Sequence, residues 1–311
     1  MEKQWKIKQK GDAEIIGKLS KELNINKILA NLLVQRGITT YDEAKTFFRP
    51  KLEDLHDPFL MKDMDLAVNR LGSAIEQEEK ILLYGDYDVD GTTAVAVMYS
   101  FLKKRHPRLD YYIPDRESEG YGVSFKGIDY AAENNCSLII TLDCGIKAVD
   151  KVSYAWEKGI DVIICDHHLP GEALPEAYAV LDPKQKTCLY PYKELSGCGV
   201  GFKLLQAYCM KNDLPKEELF RYLDLVAVSI ASDIVPITGE NRILAYYGLA
   251  QINKNPGIGL KGILNMLESN NYKRMVINDL VFKIGPRINA AGRINSGRDA
   301  VALLITEDEE E

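Results

Sequence analysis

Two of the four histidines in this 311-residue chain are adjacent, in Asp166-His167-His168, directly behind the apolar run Asp161-Val162-Ile163-Ile164-Cys165. Neutral imidazoles beside a carboxylate are good ligands for a divalent metal. The carboxyl end of a buried strand is also where open α/β sheets bind their ligands. The same tripeptide would serve as a histidine pair capping the next helix, so both readings stay open.

A second cluster follows another apolar run. Ile81-Leu82-Leu83-Tyr84 leads into Gly85-Asp86-Tyr87-Asp88-Val89-Asp90-Gly91. Residues two apart in extended backbone share a face, so Asp86, Asp88 and Asp90 are expected to point the same way. Unneutralised, they would repel one another by roughly several kcal/mol in a partly buried site, even at an effective dielectric of ~20. Cations would remove that cost. The segment lacks the Gly-x-x-x-x-Gly-Lys pattern of a phosphate loop. Its plain alternative is a solvated acidic turn in which Asp90 caps a helix.

Two single acids join them. Asp143 closes the run 137–142 and alone would pass for a turn residue, but it falls on the same predicted sheet edge as the other clusters. Asp233 ends the apolar segment 225–232, where burial and a helix C-terminus both disfavour an anion unless solvent or a cation meets it. Four or five carboxylates with one or two imidazoles suit a pair of divalent ions. The oxygen-rich donor set favours manganese or magnesium over calcium, and the lack of thiolates argues against structural zinc. Two ions about 4 Å apart would activate a water and clamp the oxygens of a phosphoryl centre.

The elements that must position these residues follow from periodicity. Short apolar runs at 81–84, 111–113, 138–142, 162–165 and 179–181 alternate with amphipathic helical segments at 93–104, 125–134 and 148–158. That alternation predicts an α/β fold, a parallel sheet with helices on both faces. Residues 1–76 read as a helical extension, with a capping box at Thr40 and Glu43 and a glycine stop at Gly37. Residues 77–236 form the α/β domain, and 237–311 a helical region leading to a linker helix.

Composition is that of a soluble globular protein, 46% hydrophobic and 27% charged,. No apolar stretch approaches the roughly 18 residues of a membrane span, and the N-terminus lacks the apolar core of a signal peptide. The six cysteines show no Cys-x-x-Cys spacing, so a reduced, cytoplasmic protein is expected. The net charge of −7 argues mildly against nucleic acid, although local patches carry binding. Between 281 and 300 the chain has Lys283, Arg287, Arg293 and Arg298 against one acid, Asp299. Each phosphate neutralised on a single strand adds a log–log salt slope of about −0.7. Arg116, just past a predicted strand on the same edge, is a further phosphate candidate, and Tyr121 could stack a base. For each of these the alternative is an ordinary surface or packing role. The acidic end 307–311 looks like the first turn of a helix, so an N-terminal piece of a longer protein is expected.

Taken together, Tyr84-Gly85-Asp86-Tyr87-Asp88-Val89-Asp90-Gly91, Asp143-Cys144-Gly145, Asp166-His167-His168 and Ser232-Asp233 resemble the four motifs of the DHH phosphoesterase superfamily. Within it the chain most resembles the RecJ family of single-strand-specific 5′→3′ DNA exonucleases. Supporting segments are Glu119-Gly120-Tyr121-Gly122, Leu195-Ser196-Gly197-Cys198-Gly199-Val200-Gly201 and Gly285-Pro286-Arg287-Ile288-Asn289-Ala290-Ala291-Gly292-Arg293. The resemblance implies Asp88 and Asp143 on one metal, and Asp90, Asp143, His167 and Asp233 on the other, with Asp143 bridging. His168 would face the scissile phosphate as hydrogen-bond donor or general acid, and Asp166 would be a supporting acid.

Superfamily members often carry a histidine where Tyr84 stands, so Asp86 or water would complete the first metal shell. The implied cofactor is a divalent metal, Mn2+ preferred and Mg2+ the alternative, in two copies. The implied chemistry is metal-dependent hydrolysis of single-stranded DNA to 5′-mononucleotides in DNA repair and recombination. Arg116, Tyr121, Arg287, Asn289 and Arg293 would hold the strand. Single-strand-binding protein and a RecQ-type helicase are the implied partners, with no membrane. A second substrate domain and an OB-fold would follow in such a protein. Two rivals stay open: another superfamily phosphoesterase acting on pyrophosphate, oligoribonucleotides or cyclic dinucleotides, and an inactive DNA-binding scaffold like the eukaryotic replication-fork relative.

Overall fold

The computed structural model describes residues 4, 6–268, 274–294 and 296–310. It divides into two compact units, Met1–Asp54 and Leu55–Glu311. The first holds helices α1 (Ala13–Glu22), α2 (Lys27–Val34) and α3 (Tyr41–Phe48). Their apolar stripes meet in a small core of Ile16, Leu19, Ala30, Leu33, Ile38 and Ala44. Each helix starts at a polar cap, Asp12, Asn26 and Thr40, and the expected box between Thr40 and Glu43 forms in both directions,.

The second unit is built on a five-stranded parallel sheet of order β2-β1-β3-β4-β5. The strands are β1 (Lys80–Gly85), β2 (Leu109–Tyr112), β3 (Cys136–Leu142), β4 (Asp161–Cys165) and β5 (Ala179–Leu181). The runs in β1, β3 and β4 are almost continuously buried, as expected for strands covered on both faces,. On one face α6 (Phe125–Glu133) and α7 (Val149–Glu157) supply Ile128, Ala131, Val152 and Ala155 to a core with Leu82, Tyr84, Ile139 and Ile164. On the other, α5 (Val89–Leu102) packs against β1 and against α8 (Gly197–Lys211). The fold is the expected parallel α/β sheet with helices on both faces.

The division falls at 54/55, whereas the sequence placed a boundary at 76/77. The reason is α4 (Met64–Glu76), whose Met64, Ala67, Val68, Leu71 and Ala74 are buried and which packs on β5 and α8. The chain then continues through α9 (Lys216–Phe220), α10 (Leu223–Ser232), α11 (Gly239–Ile252) and α12 (Ile258–Glu268). After a one-turn α13 (Ile277–Asp279) come a π-helical turn, Leu280–Ile284, then α14 (Gly285–Ile294) and α15 (Gly297–Ile305). These helices belong to the same unit: α10 packs on α5 and α11, and α15 packs on α5.

Sheet order matters for function. The chain leaves β1 for β2 on one side and returns to β3 on the other, so the crevice at the carboxyl ends of β1 and β3 is a topological switch point, the usual ligand site of such sheets. Four aspartates stand one residue beyond strand ends there: Asp86 after β1, Asp143 after β3, Asp166 after β4 and Asp182 after β5. The ladder runs through them, with Asp86 N–H donating to Leu142 O (3.4 Å), Asp143 N–H to Cys165 O (2.9 Å) and Asp166 N–H to Leu181 O (3.0 Å).

Candidate metal centre

Asp143 leaves β3 in the left-handed region, φ 62°, and is almost fully buried. Non-glycine residues rarely adopt that conformation, and it turns the carboxylate across the sheet edge. Helix α8 begins against it: a Cβ on Gly197 would stand 2.4 Å from Asp143 Oδ1, so only glycine lets the helix start this close. On the next strand, Asp166 accepts from the N–H of Ile146 (2.9 Å), His167 (2.7 Å) and His168 (3.1 Å), and from the His168 ring Nδ1 (2.7 Å). Burial opposes ionisation of Asp166, but the His168 ring and these donors prevail and hold its carboxyl below the ordinary range,. Its hydrogen bonds fix the backbone and the ring of His168.

His167 points into the crevice. Its Nδ1 lies 3.0 Å from Leu195 O, an atom that can only accept, so the proton sits on Nδ1 and Nε2 presents a lone pair,. Burial, the leading effect, lowers its pKa and keeps it neutral. Nε2 lies 3.1 Å from Asp143 Oδ1, 3.6 Å from Asp233 Oδ2 and 3.9 Å from Asp90 Oδ2. Yet neither Nε2 nor Asp143 Oδ1 has a hydrogen-bond partner. Buried lone pairs facing one another without a proton between them are costly, and a cation between them removes the cost. Among the described residues the donors form two overlapping groups, Asp143–His167–His168 and Asp90–His167–Asp233, each with ligand atoms within 4.8 Å. The set fits one or two hard divalent ions.

Burial raises the pKa of Asp143 well above the usual carboxylate value, and the charges of Asp90 and Asp88 add to it. Burial likewise lifts Asp233 to about 7, with Asp90 and Asp88 contributing. Asp233 caps the C-terminus of α10 and is followed by Ile234 at φ 59°, a strained position for a β-branched residue,. Strain and like-charge crowding concentrate at this edge, as at sites organised around a ligand.

The acidic loop after β1 departs from the expected alternation. Strand geometry ends at Gly85, and Asp88 is the helix cap, accepting from Gly91 N–H (3.0 Å), whereas the sequence offered Asp90 for that role. The three acids therefore do not share a face. Asp86 turns toward the loop and accepts from Gly122 N–H (3.1 Å); it joins neither donor group, and burial lifts its pKa to about 7. Asp88 stands within hydrogen-bonding reach of Asp143. Asp90, in the first turn of α5, faces α8 and α10. It accepts from Gly197 N–H (2.7 Å), Cys198 N–H (2.8 Å) and Ser229 Oγ–H (2.7 Å). Tyr84 sends its hydroxyl to Gly122 O (3.0 Å) and Ser124, away from the donor groups.

Three features escaped the sequence. Ser229, fully buried on α10, fixes Asp90, and Ser196 Oγ backs it at 2.7 Å. Leu195 O sets the His167 tautomer. Asp182 is fully buried with Oδ2 unpartnered, and burial lifts its pKa to about 7. Only Asp182 carried a local signal, its place after the run 179–181.

The nucleic-acid candidates separate. Arg116 lies over the Tyr87 ring (5.1 Å), Tyr87 meets Tyr121 edge-on, and the Tyr121 hydroxyl lies 3.1 Å from His168 Nε2 and 3.2 Å from Asp143 O. These side chains lead in steps from an exposed arginine to the donor groups. Arg287 and Asn289 lie on α14, which starts tightly against Ser232: a Cβ on Gly285 would be 2.6 Å from Ser232 Oγ. The Arg287 guanidinium donates to Lys283 O (2.8 Å) and stays exposed. The side chain of Arg293 lies outside the described residues. Arg298 is instead tied to β2, donating to Tyr111 O (2.8 Å) and stacking over the Tyr111 ring.

Residues 80–230, which carry all these strands and acids up to Ser229, match the family model described as DHH family, N-terminal domain. Residues 80–230 form a DHH domain. Among curated proteins, the single-stranded-DNA-specific exonuclease RecJ of Bacillus subtilis is 43% identical over 304 residues, 98% of this chain and 38% of that protein. The RecJ of Escherichia coli is 33% identical over 90% of this chain and half of its own length. The chain thus spans about half or less of these relatives. Among solved structures, exonuclease RecJ bound to manganese superposes with a TM-score of 0.73 at 33% identity, covering 84% of this chain and 64% of that one. The Mn2+ complex of RecJ from Thermus thermophilus reaches 0.81 at 28% identity, covering 97% and 42%. The DHH assignment accounts for the sheet edge and its acids together.

Proposed function

We propose that this chain is the catalytic core of a metal-dependent 5′→3′ exonuclease that hydrolyses single-stranded DNA to 5′-mononucleotides. The observation that carries the reading is the convergence of two buried, unpartnered donors, Asp143 Oδ1 and His167 Nε2, at a sheet switch point. The relatives support the substrate, since those reported above are named as single-stranded-DNA-specific exonucleases. Solved RecJ structures carry manganese or magnesium, which supports Mn2+ or Mg2+ at these donors. Asp143, His167, Asp90 and Asp233 would hold the metal, with Asp88 beside Asp143. A divalent ion there supplies Lewis acidity and charge neutralisation for attack on a phosphodiester.

The residues of the chain do the rest. Asp166 fixes His168 Nδ1, leaving Nε2 beside the Tyr121 hydroxyl (3.1 Å), and it raises the His168 pKa, which suits donation to a phosphate oxygen or to the departing oxygen,. Arg116 and Arg287 would bind the strand backbone, and Tyr121 a base. The same reading sets the protein in the cytoplasm in DNA repair and recombination, beside single-strand-binding protein and a RecQ-type helicase. In the described residues no helix is long and apolar enough to cross a membrane.

Turnover of a 5′-phosphorylated single-stranded oligonucleotide, compared with pyrophosphate and a cyclic dinucleotide in Mn2+, tests the proposal. Release of 5′-mononucleotides from the oligonucleotide is expected. Cleavage of the small substrates alone would overturn it.

A further inference from the structure

Beside the donor groups, on the α7 side of the sheet edge, lies a cavity of about 270 Å³. Its walls are the loop carrying Tyr121, Gly122 and Val123 and the segment from Gly145 to Lys151, with Asp166 and His168 also lining it. It shares His168 with the Asp143–His167–His168 group, so the cavity adjoins those donors.

The lining combines two chemistries. Tyr121, Val123, Ile146 and Ala148 give it aromatic and aliphatic surface, and Tyr121 is 53% exposed. Lys147 and Lys151 give it charge. Lys147 is exposed and has no ion-pair partner among the described residues. Lys151 pairs with Asp150 (2.8 Å) and lies over the Phe125 ring (5.2 Å), but Asp150 is largely in solvent, where such a pair contributes little,. The acid in the lining, Asp166, already has its oxygens occupied by donors. The cavity is therefore cationic with an apolar wall, and at this size it holds one small ligand.

We infer that the cavity is a subsite for a single nucleotide, with Lys147 and Lys151 binding its phosphate and Tyr121 facing its base. This deepens the phosphodiesterase reading and rests on it for the identity of the ligand. No motif of the sequence pointed to either lysine.

The test is calorimetric titration of thymidine 5′-monophosphate, thymidine and inorganic phosphate into the manganese-loaded protein and its Lys147→Ala/Lys151→Ala variant. Removing each charge-assisted hydrogen bond is expected to weaken monophosphate binding by about tenfold. Thymidine and manganese affinities should stay unchanged, and Lys147→Arg should retain most of the binding. Equal monophosphate affinity in parent and double variant, or no monophosphate binding to the parent, would overturn the subsite. Oligonucleotide turnover is measured in parallel. Turnover with lysine-independent monophosphate binding removes the subsite alone, and lysine-dependent binding without turnover removes the exonuclease reading alone.

Discussion

His167 Nε2 and Asp143 Oδ1 lie 3.1 Å apart, both buried and neither hydrogen-bonded. The protein has placed two lone pairs where only a positive charge makes them compatible. Asp143→Asn is expected to lower Mn2+ affinity and turnover by more than about 100-fold, beyond the effect of removing a residue that only supports a ligand. It should also raise the melting temperature of the metal-free protein by relieving repulsion from Asp88 and Asp90. Calorimetry and thermal melts check both, and unchanged manganese affinity would refute the ligand role.

Ser229 acts on the centre through Asp90. Ser229→Ala removes one of three donors to that carboxylate and is expected to cost about 10–100-fold in Mn2+ affinity or activity,. Ser196→Ala should cost less, because the Ser196 hydroxyl does not touch Asp90: it bonds Ser229 and caps α8 at Gly199 N–H (3.1 Å), while Ser229 and the backbone donors of Gly197 and Cys198 remain. Equal losses in the two variants would contradict that order.

Asp86, Asp182 and Asp233 all have pKa values lifted to about 7 by burial. An acid whose folded pKa exceeds its unfolded value stabilises the fold below the unfolded pKa, near 4, and that contribution is lost as pH rises through about 7. The metal-free protein should therefore melt at progressively lower temperature from pH 5 to pH 8. Manganese should offset the part due to its ligands. Asp182→Asn should remove its own share of the remainder, leaving that of Asp86, and raise the melting temperature at pH 8 but not at pH 5. A metal-free profile that rises over this range would refute the assignment.

Asp166 holds the His168 ring, and its hydrogen bond is the leading cause of the raised His168 pKa. In Asp166→Asn that pKa should fall, so the alkaline limb of the rate profile, where the protonated ring is lost, should move to lower pH. Histidine resonances followed by NMR titration read the same shift directly. An unmoved His168 pKa would remove Asp166 from this role.

Much of the site was legible because its parts stand at strand ends, where an apolar run stops at an acid: Asp143 and Asp166 need nothing more than that. The acids after β1 were legible as a cluster but not in their directions, since the chain turns helical at Val89 and Asp88 becomes the cap. Ser229 and Gly197 were invisible as partners of Asp90 because they lie 139 and 107 residues away from it in sequence. The boundary read at 76/77 and the division at 54/55 differ over α4, whose apolar stripe shows that it is buried but not against what. Asp182 had the same signal, an acid behind the run 179–181, but a strand of only three residues made it a weak one.

The cradle of Asp90 also sets an order of assembly. During synthesis the four strand-end aspartates and both histidines emerge by residue 182, yet the three hydrogen-bond donors to Asp90 arrive only when α8 and α10 have folded back onto α5. Closing loops of that length is the slow part of folding. An incomplete chain would carry the acids without their geometry, so the cluster of donors takes shape only once α8 and α10 have closed on α5.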